Sequence, residues 1–161
     1  MKKRVFLGVF FILAALSVTA QQPSSLMNVE TSWGLKTIGV SVVTGKTIGR
    51  TVFDKYGDIL FLGIGTGIQH YEGNSSGMPL FLRVRVNPIP LKISMLFMID
   101  FGTKIQVSGD INNHFGGYYY EPVAGMKFRL KEKTSIYIAM GANISNKKTE
   151  PYFVLKTGLT F

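Results

Sequence analysis

The sequence predicts an all-β protein, an eight-stranded antiparallel up-and-down barrel that crosses a membrane with its strands. Three observations carry this expectation. Apolar residues recur at every second position through most of the chain, the period of a strand with one apolar face. The alternate positions mix glycine with Arg, Lys and Asp. Polar clusters break the runs into lengths that suit a tilted spanning strand of about 9–11 residues. The composition agrees: only 17% of the 161 residues are charged and 46% are hydrophobic, whereas ordinary soluble domains carry roughly 25% charge.

The chain opens on a segment that is not part of the barrel. Lys2, Lys3 and Arg4 precede an uncharged, mostly apolar run from Val5 to Val18, and Val18-Thr19-Ala20 places small residues before Gln21. This is the layout of a cleavable secretory signal, and the apolar run is too short to span a bilayer comfortably. We therefore divide the chain into a signal peptide, residues 1–20, and one barrel domain, residues 21–161. The net charge is +9, from 18 Lys+Arg and 9 Asp+Glu. Three of those cations belong to the signal, which weakens a nucleic-acid reading. With no cysteine in the chain, disulfides, thiolate metal sites, cysteine nucleophiles and lipoprotein acylation are excluded.

Met27, Val29, Thr31, Trp33 and Leu35 form the apolar parity of the first strand, and Ile38, Val40 and Val42 that of the second. The parity slips between them, and a one-residue slip exchanges the two faces, so a turn is expected near Gly34 to Thr37. Six further strands are expected at about 58–70, 78–87, 91–105, 117–130, 134–145 and 150–161, with boundaries good to about 2–4 residues. Leu91, Ile93, Met95, Phe97, Ile99 and Phe101 give the longest unbroken apolar parity. Pro122 interrupts the strand at 117–130 and removes a ladder donor, so a bulge is expected there.

The polar parity decides which face points where. It holds Gly63, Gly65, Gly67, Gly125, Gly141 and Gly158 together with Arg83, Arg85, Lys92, Asp100, Lys127, Arg129 and Lys156. Glycine on a solvated strand face weakens the strand and gains nothing. Inside a narrow barrel it makes room for long neighbours, because small barrels fill their interiors by mixing small and large side chains. The charged set, joined by Glu121, is therefore assigned to the lumen and the apolar parity to lipid. A lumen of eight strands is just wide enough for side chains to fill, which favours a plugged, salt-bridged interior over an anion pathway. Tyr118, Tyr120, Phe101 and Phe153 fall at one rim and Phe128 and Phe161 at the other, as the interfacial girdles of membrane barrels do. An even strand number puts both termini on one side, with short turns there and longer loops opposite. Residues 87–92 and 131–133 are then periplasmic, and 71–77, 107–116 and 146–150 extracellular. The link at 50–57 is longer than that rule prefers.

The chain resembles the small, porin-like, eight-stranded outer-membrane β-barrel proteins of Gram-negative bacteria over about residues 25–161. The motif that carries the resemblance is the last strand, Phe153-x-Leu155-x-Thr157-x-Leu159-x-Phe161. In that family the pattern is the signal read by the barrel-insertion machinery, and Thr157 departs mildly from the preferred apolar residue. The resemblance implies residence in the outer membrane among its lipids and lipopolysaccharide, insertion by that machinery, and a monomer.

Other motifs carry little chemistry. Gly63-Ile64-Gly65-Thr66-Gly67 lies within a strand and opens no helix, so it does not read as a phosphate loop. His70, Glu72, Ser75, Ser76, Asp110 and His114 gather at the extracellular end, where a metal or hydrolytic centre would need them in a defined constellation. Some eight-stranded relatives are lipid A deacylases or acyltransferases, and the deacylases are similar to one another in an His-x-Ser-Asn element. The nearest match here, Asn143-Ile144-Ser145-Asn146, has no histidine. No catalytic centre, metal, cofactor or nucleic-acid partner is expected. The leading expectation is a non-catalytic membrane barrel with a structural or loop-binding role. A narrow channel for small solutes and a lipid A-modifying enzyme are the alternatives.

Overall fold

The computed structural model describes residues 25–35, 37–50, 58–72, 75–89, 91–108, 117–131, 134–146 and 151–161. Residues 1–24, where the signal peptide is expected, the link at 51–57 and the loops at 109–116 and 147–150 lie outside the described residues. Eight strands run in chain order: β1 (Ser25–Gly34), β2 (Thr37–Arg50), β3 (Asp58–Tyr71), β4 (Ser75–Val86), β5 (Ile93–Ser108), β6 (Tyr118–Arg129), β7 (Ser135–Ser145) and β8 (Tyr152–Thr160). Each pairs antiparallel with the next, and β8 returns to β1, so the sheet is a closed barrel. Closure removes both sheet edges and gives every strand two hydrogen-bonding neighbours, the condition a strand must meet in hydrocarbon.

The parity slip between the first two strands has a simple cause. Gly34 pairs with Thr37, leaving a two-residue turn, and Trp33 faces Ile38 across it. Directly paired residues share a face, so the outward set changes from odd to even numbers without a bulge. One expectation needs correction. Pro122 makes no bulge. It pairs with Ile99 of β5, and the β6–β7 ladder resumes at Val123–Gly141 in the register it had at Tyr120–Ile144. The missing donor leaves a gap in pairing and no slip. The register shift lies instead between Ser76 and Gly77, where β4 meets β5. β4 and β5 also reach further toward the loops than their apolar runs, since polar Ser75 and Ser76 still pair, with Tyr71 and Ser108 respectively. Backbone pairing does not require apolar side chains.

The two faces separate cleanly. Leu82 is 59% exposed whereas Arg83, one residue on, is 1% exposed. Ile64, Met95, Ile99, Met126 and Ile138 are exposed on the outer face. Phe101 and Tyr118 stack at the loop end, with centroids 6.2 Å apart and planes 5° from parallel.

Glycine sets how closely the strands and inner rings approach. A methyl group on Gly125 would lie 2.0 Å from the Ile138 carbonyl oxygen, and one on Gly65 would lie 2.4 Å from the Phe81 ring. The first contact is with backbone, which cannot step aside. Gly125→Ala is expected to cost about 1–3 kcal/mol through overpacking, read as a lower urea midpoint of the refolded barrel. An unchanged midpoint would mean that the strands part there at little cost.

Candidate functional site: the barrel interior

The interior is built from the inward parity, and its side chains fall in three tiers. The middle tier centres on Arg83 of β4. Its Nε and Nη2 donate to Asp100 of β5 at 2.7 and 2.6 Å, while Nη1 and Nη2 donate to Glu30 of β1 at 2.6 and 2.7 Å. Both carboxylates are thus engaged through two oxygens, the geometry that the guanidinium fork matches best. Lys156 of β8 joins the acids from the other side, at 2.5 Å from Asp100, 2.6 Å from Glu121 and 3.5 Å from Glu30. Tyr137 of β7 donates its hydroxyl to Glu30, and Asn143 Nδ2 donates to Glu121 at 2.5 Å. The Arg83 guanidinium and the Lys156 ammonium also lie 5.3 and 5.8 Å from the centre of the Phe81 ring, within cation–π range.

Toward the chain termini, the Arg85 guanidinium sits 4.6 Å from the centre of the Phe61 ring. Its Nη1 donates to Asn28 Oδ1 at 3.1 Å and to Thr160 Oγ1 at 3.3 Å. Toward the loops, Lys104 donates to the Tyr152 hydroxyl at 2.8 Å and to Asn143 Oδ1 at 3.4 Å. The rings of Tyr119, Tyr152 and Tyr71 surround its ammonium at 4.6, 5.4 and 5.5 Å.

Of the residues assigned to the lumen from sequence, Arg83, Arg85, Asp100, Lys127 and Lys156 are buried inside the barrel. Arg129 is half-buried at the end of β6. Lys92 requires a correction: it is exposed, because the chain still bends there and β5 begins only at Ile93. Glu30, Tyr137 and Lys104 were missed. Glu30 and Tyr137 sit on the polar parities of their strands, so the signal that placed Arg83 applied equally to them. Among the described residues, three acids (Glu30, Asp100, Glu121) and five cations (Arg83, Arg85, Lys104, Lys127, Lys156) are buried.

The other candidates are dispersed. His70 Nδ1 and Ser76 Oγ are 3.0 Å apart, exposed at the loop end, and Ser75 is buried next to Ser76. Glu72 is exposed in the following turn, while Asp110 and His114 lie outside the described residues. No group of three or more His, Cys, Asp and Glu side chains suited to a metal occurs among the described residues. Asn143 of the Asn-Ile-Ser-Asn element points inward and is committed to Glu121. The terminal-strand residues Phe153, Leu159 and Phe161 are exposed and Leu155 is half-buried. Thr157 shares their face, and its hydroxyl is 2.8 Å from that of Thr31.

Removing one partner from a buried ion network leaves an uncompensated charge, at a cost of about 3–5 kcal/mol. Glu30→Ala and Asp100→Ala should each lower stability by about that amount, and Tyr137→Phe by about 1.5–3 kcal/mol, the range for a hydrogen bond to a charged group. Urea unfolding followed by the fluorescence of Trp33, the single tryptophan, measures all three. Wild-type midpoints for the two acid variants would refute the network.

No protein-family model and no curated protein matches the chain. Solved structures do match, two of them as follows. The N-terminal β-barrel domain of OprF from Pseudomonas aeruginosa is 12% identical over 88% of this chain and 99% of that one, with a TM-score of 0.55. A de novo designed transmembrane β-barrel is 16% identical over 88% of this chain and 98% of that one, with a TM-score of 0.50. With the closed ring of eight strands, these likenesses give the chain the fold of a transmembrane β-barrel.

Proposed function

We propose that the protein is an integral outer-membrane β-barrel without catalytic activity, whose lumen is closed by the Glu30–Arg83–Asp100–Lys156–Glu121 network and whose role is structural or exercised through its loops. The observation that carries this reading is the inversion of the faces, with charge inside and an apolar belt outside. A soluble barrel would expose Arg83 and bury Leu82. The N-terminal signal supports export, and the terminal Phe153-x-Leu155-x-Thr157-x-Leu159-x-Phe161 pattern supports delivery by the insertion machinery. The loops at 35–36, 72–74, 109–117 and 146–151 then face outward from the cell, and the chain termini face the periplasm.

A second reading is favoured by one observation, the excess of buried cations over buried acids. Such a lumen would suit a narrow, anion-selective path if the middle tier opened. Planar bilayers distinguish the two: the closed-lumen reading expects no steady conductance, and an anion-selective current would replace it with the second.

Location is tested by fractionation. The protein should be recovered with the outer membrane and should migrate faster on gels before heating than after. Recovery as a soluble periplasmic protein would overturn the reading. Leu82→Arg places a cation on the lipid face, where the cost near mid-membrane is about 2–4 kcal/mol. It should depress refolding into vesicles. Equal refolding of the variant and the wild type would show that this face does not meet hydrocarbon.

A further inference from the structure

The outer face is not uniform. A shallow, open groove of about 540 Å³ along β2–β4 is lined by Thr44, Lys46, Ile48, Leu62, Ile64 and Leu82. It shares Thr44, Ile64 and Leu82 with a second stretch that runs toward the loop end beneath Phe101 and Tyr118. The lining mixes short Thr44 and Thr66 side chains with longer Ile64, Leu80 and Leu82. Its inner side is the glycine-rich wall, where Gly45 pairs with Gly63 and Val43 with Gly65.

Lys46 stands at the terminal end of this trough. Its side chain is exposed on the outer face of β2, and it is the one charged residue lining this stretch. It pairs with Ser25, the first residue of β1. Two residues further along β1, Met27 exchanges backbone hydrogen bonds with Phe161 at 3.2 and 2.8 Å, so Lys46 lies at the rim marked by the terminal aromatic ring. A lysine on a lipid-facing strand is costly at depth and stable at the interface, where its stem covers apolar surface and its ammonium reaches the headgroups.

An uncharged trough with one cation at its rim is complementary to an amphiphile with an apolar tail and an anionic head. We propose that Lys46 and this groove form a binding site for an anionic glycerophospholipid of the leaflet at the terminal end. The phosphodiester pairs with Lys46 Nζ, and an acyl chain lies over Leu62, Ile64 and Leu82. The site rests on the membrane reading above.

Native mass spectrometry of the barrel, released from micelles with equimolar phosphatidylglycerol and phosphatidylcholine, tests it. Phosphatidylglycerol should be retained in preference. Lys46→Gln should lower that retention about fivefold, the factor one lysine near an anionic surface supplies, and Lys46→Arg should keep it. Thr44→Leu fills the trough with the charge intact and should also lower retention, whereas Lys131→Gln, on a turn elsewhere at that end, should not. Equal retention of the two lipids, an unaffected Lys46→Gln variant, or displacement of the lipid by inorganic phosphate alone would overturn the site. A barrel that shows heat-modifiable migration yet no lipid preference refutes only this site. One that fails to enter bilayers refutes the membrane reading and the site together.

Discussion

Arg83 is the point on which the interior depends. Its guanidinium ties Glu30, 53 residues before it, to Asp100, 17 residues after it. With Lys156, Glu121 and Tyr137 it joins side chains from six of the eight strands. Taking a guanidinium and three carboxylates out of water is expensive, and their mutual attraction offsets the cost only with near-ideal geometry and further hydrogen bonds. The forked contacts of Arg83, the second cation and the donors from Tyr137 and Asn143 meet that requirement together. The network therefore fixes more than the width of the barrel. Register determines which inward residue stands opposite which, and a slip of one residue on β1 would carry Glu30 to the outer face.

The inward glycines make this network sterically possible. Gly45, Gly63 and Gly65 lie on the wall over which the rings of Phe61 and Phe81 are laid, and those rings in turn face the guanidinium groups of Arg85 and Arg83. A narrow barrel thus alternates residues without side chains, flat rings and long cations. A uniformly mid-sized interior could neither hold the cations nor leave the wall close enough for the rings to fill the gap.

The fold was legible because lipid and a packed interior demand opposite chemistry from successive residues. Period two, the parity slip before β2 and the glycine-with-charge set followed directly from that demand. Lys92 was misplaced because parity continues beyond the end of a strand: Leu91 and Ile93 alternate with it, yet pairing begins only at Ile93. Pro122 misled for the opposite reason. A missing donor predicts a lost hydrogen bond but does not require an extra residue, and the ladder closes over the gap in register. Parity places Glu30 inside just as it places Arg83, but its β1 neighbours on that parity, Asn28 and Ser32, are uncharged, so nothing local marks it as the partner of an arginine three strands away. Lys104 and its three tyrosines lie on four strands near the loops, where no one segment contains the group.

The seam between β1 and β8 shows how closure is stabilised. These strands are furthest apart in sequence, so pairing them carries the largest loop-closure entropy in the sheet. Side chains reinforce the backbone on both faces there. Outside, Thr31 meets Thr157 at 2.8 Å across 126 residues, and the Trp33 indole donates to Thr31 at 3.1 Å. Inside, Thr160 donates to Asn28 at 2.5 Å, and Lys156 stands 3.5 Å from Glu30. This accounts for the polar residue in the otherwise apolar terminal pattern. Thr157 departs from the apolar rule where a cross-strand hydroxyl is available to satisfy it, and hydrocarbon makes such a bond more valuable than water would. An apolar residue at 157 would suit lipid equally well but would leave Thr31 without that partner on the outer face of the closing strands.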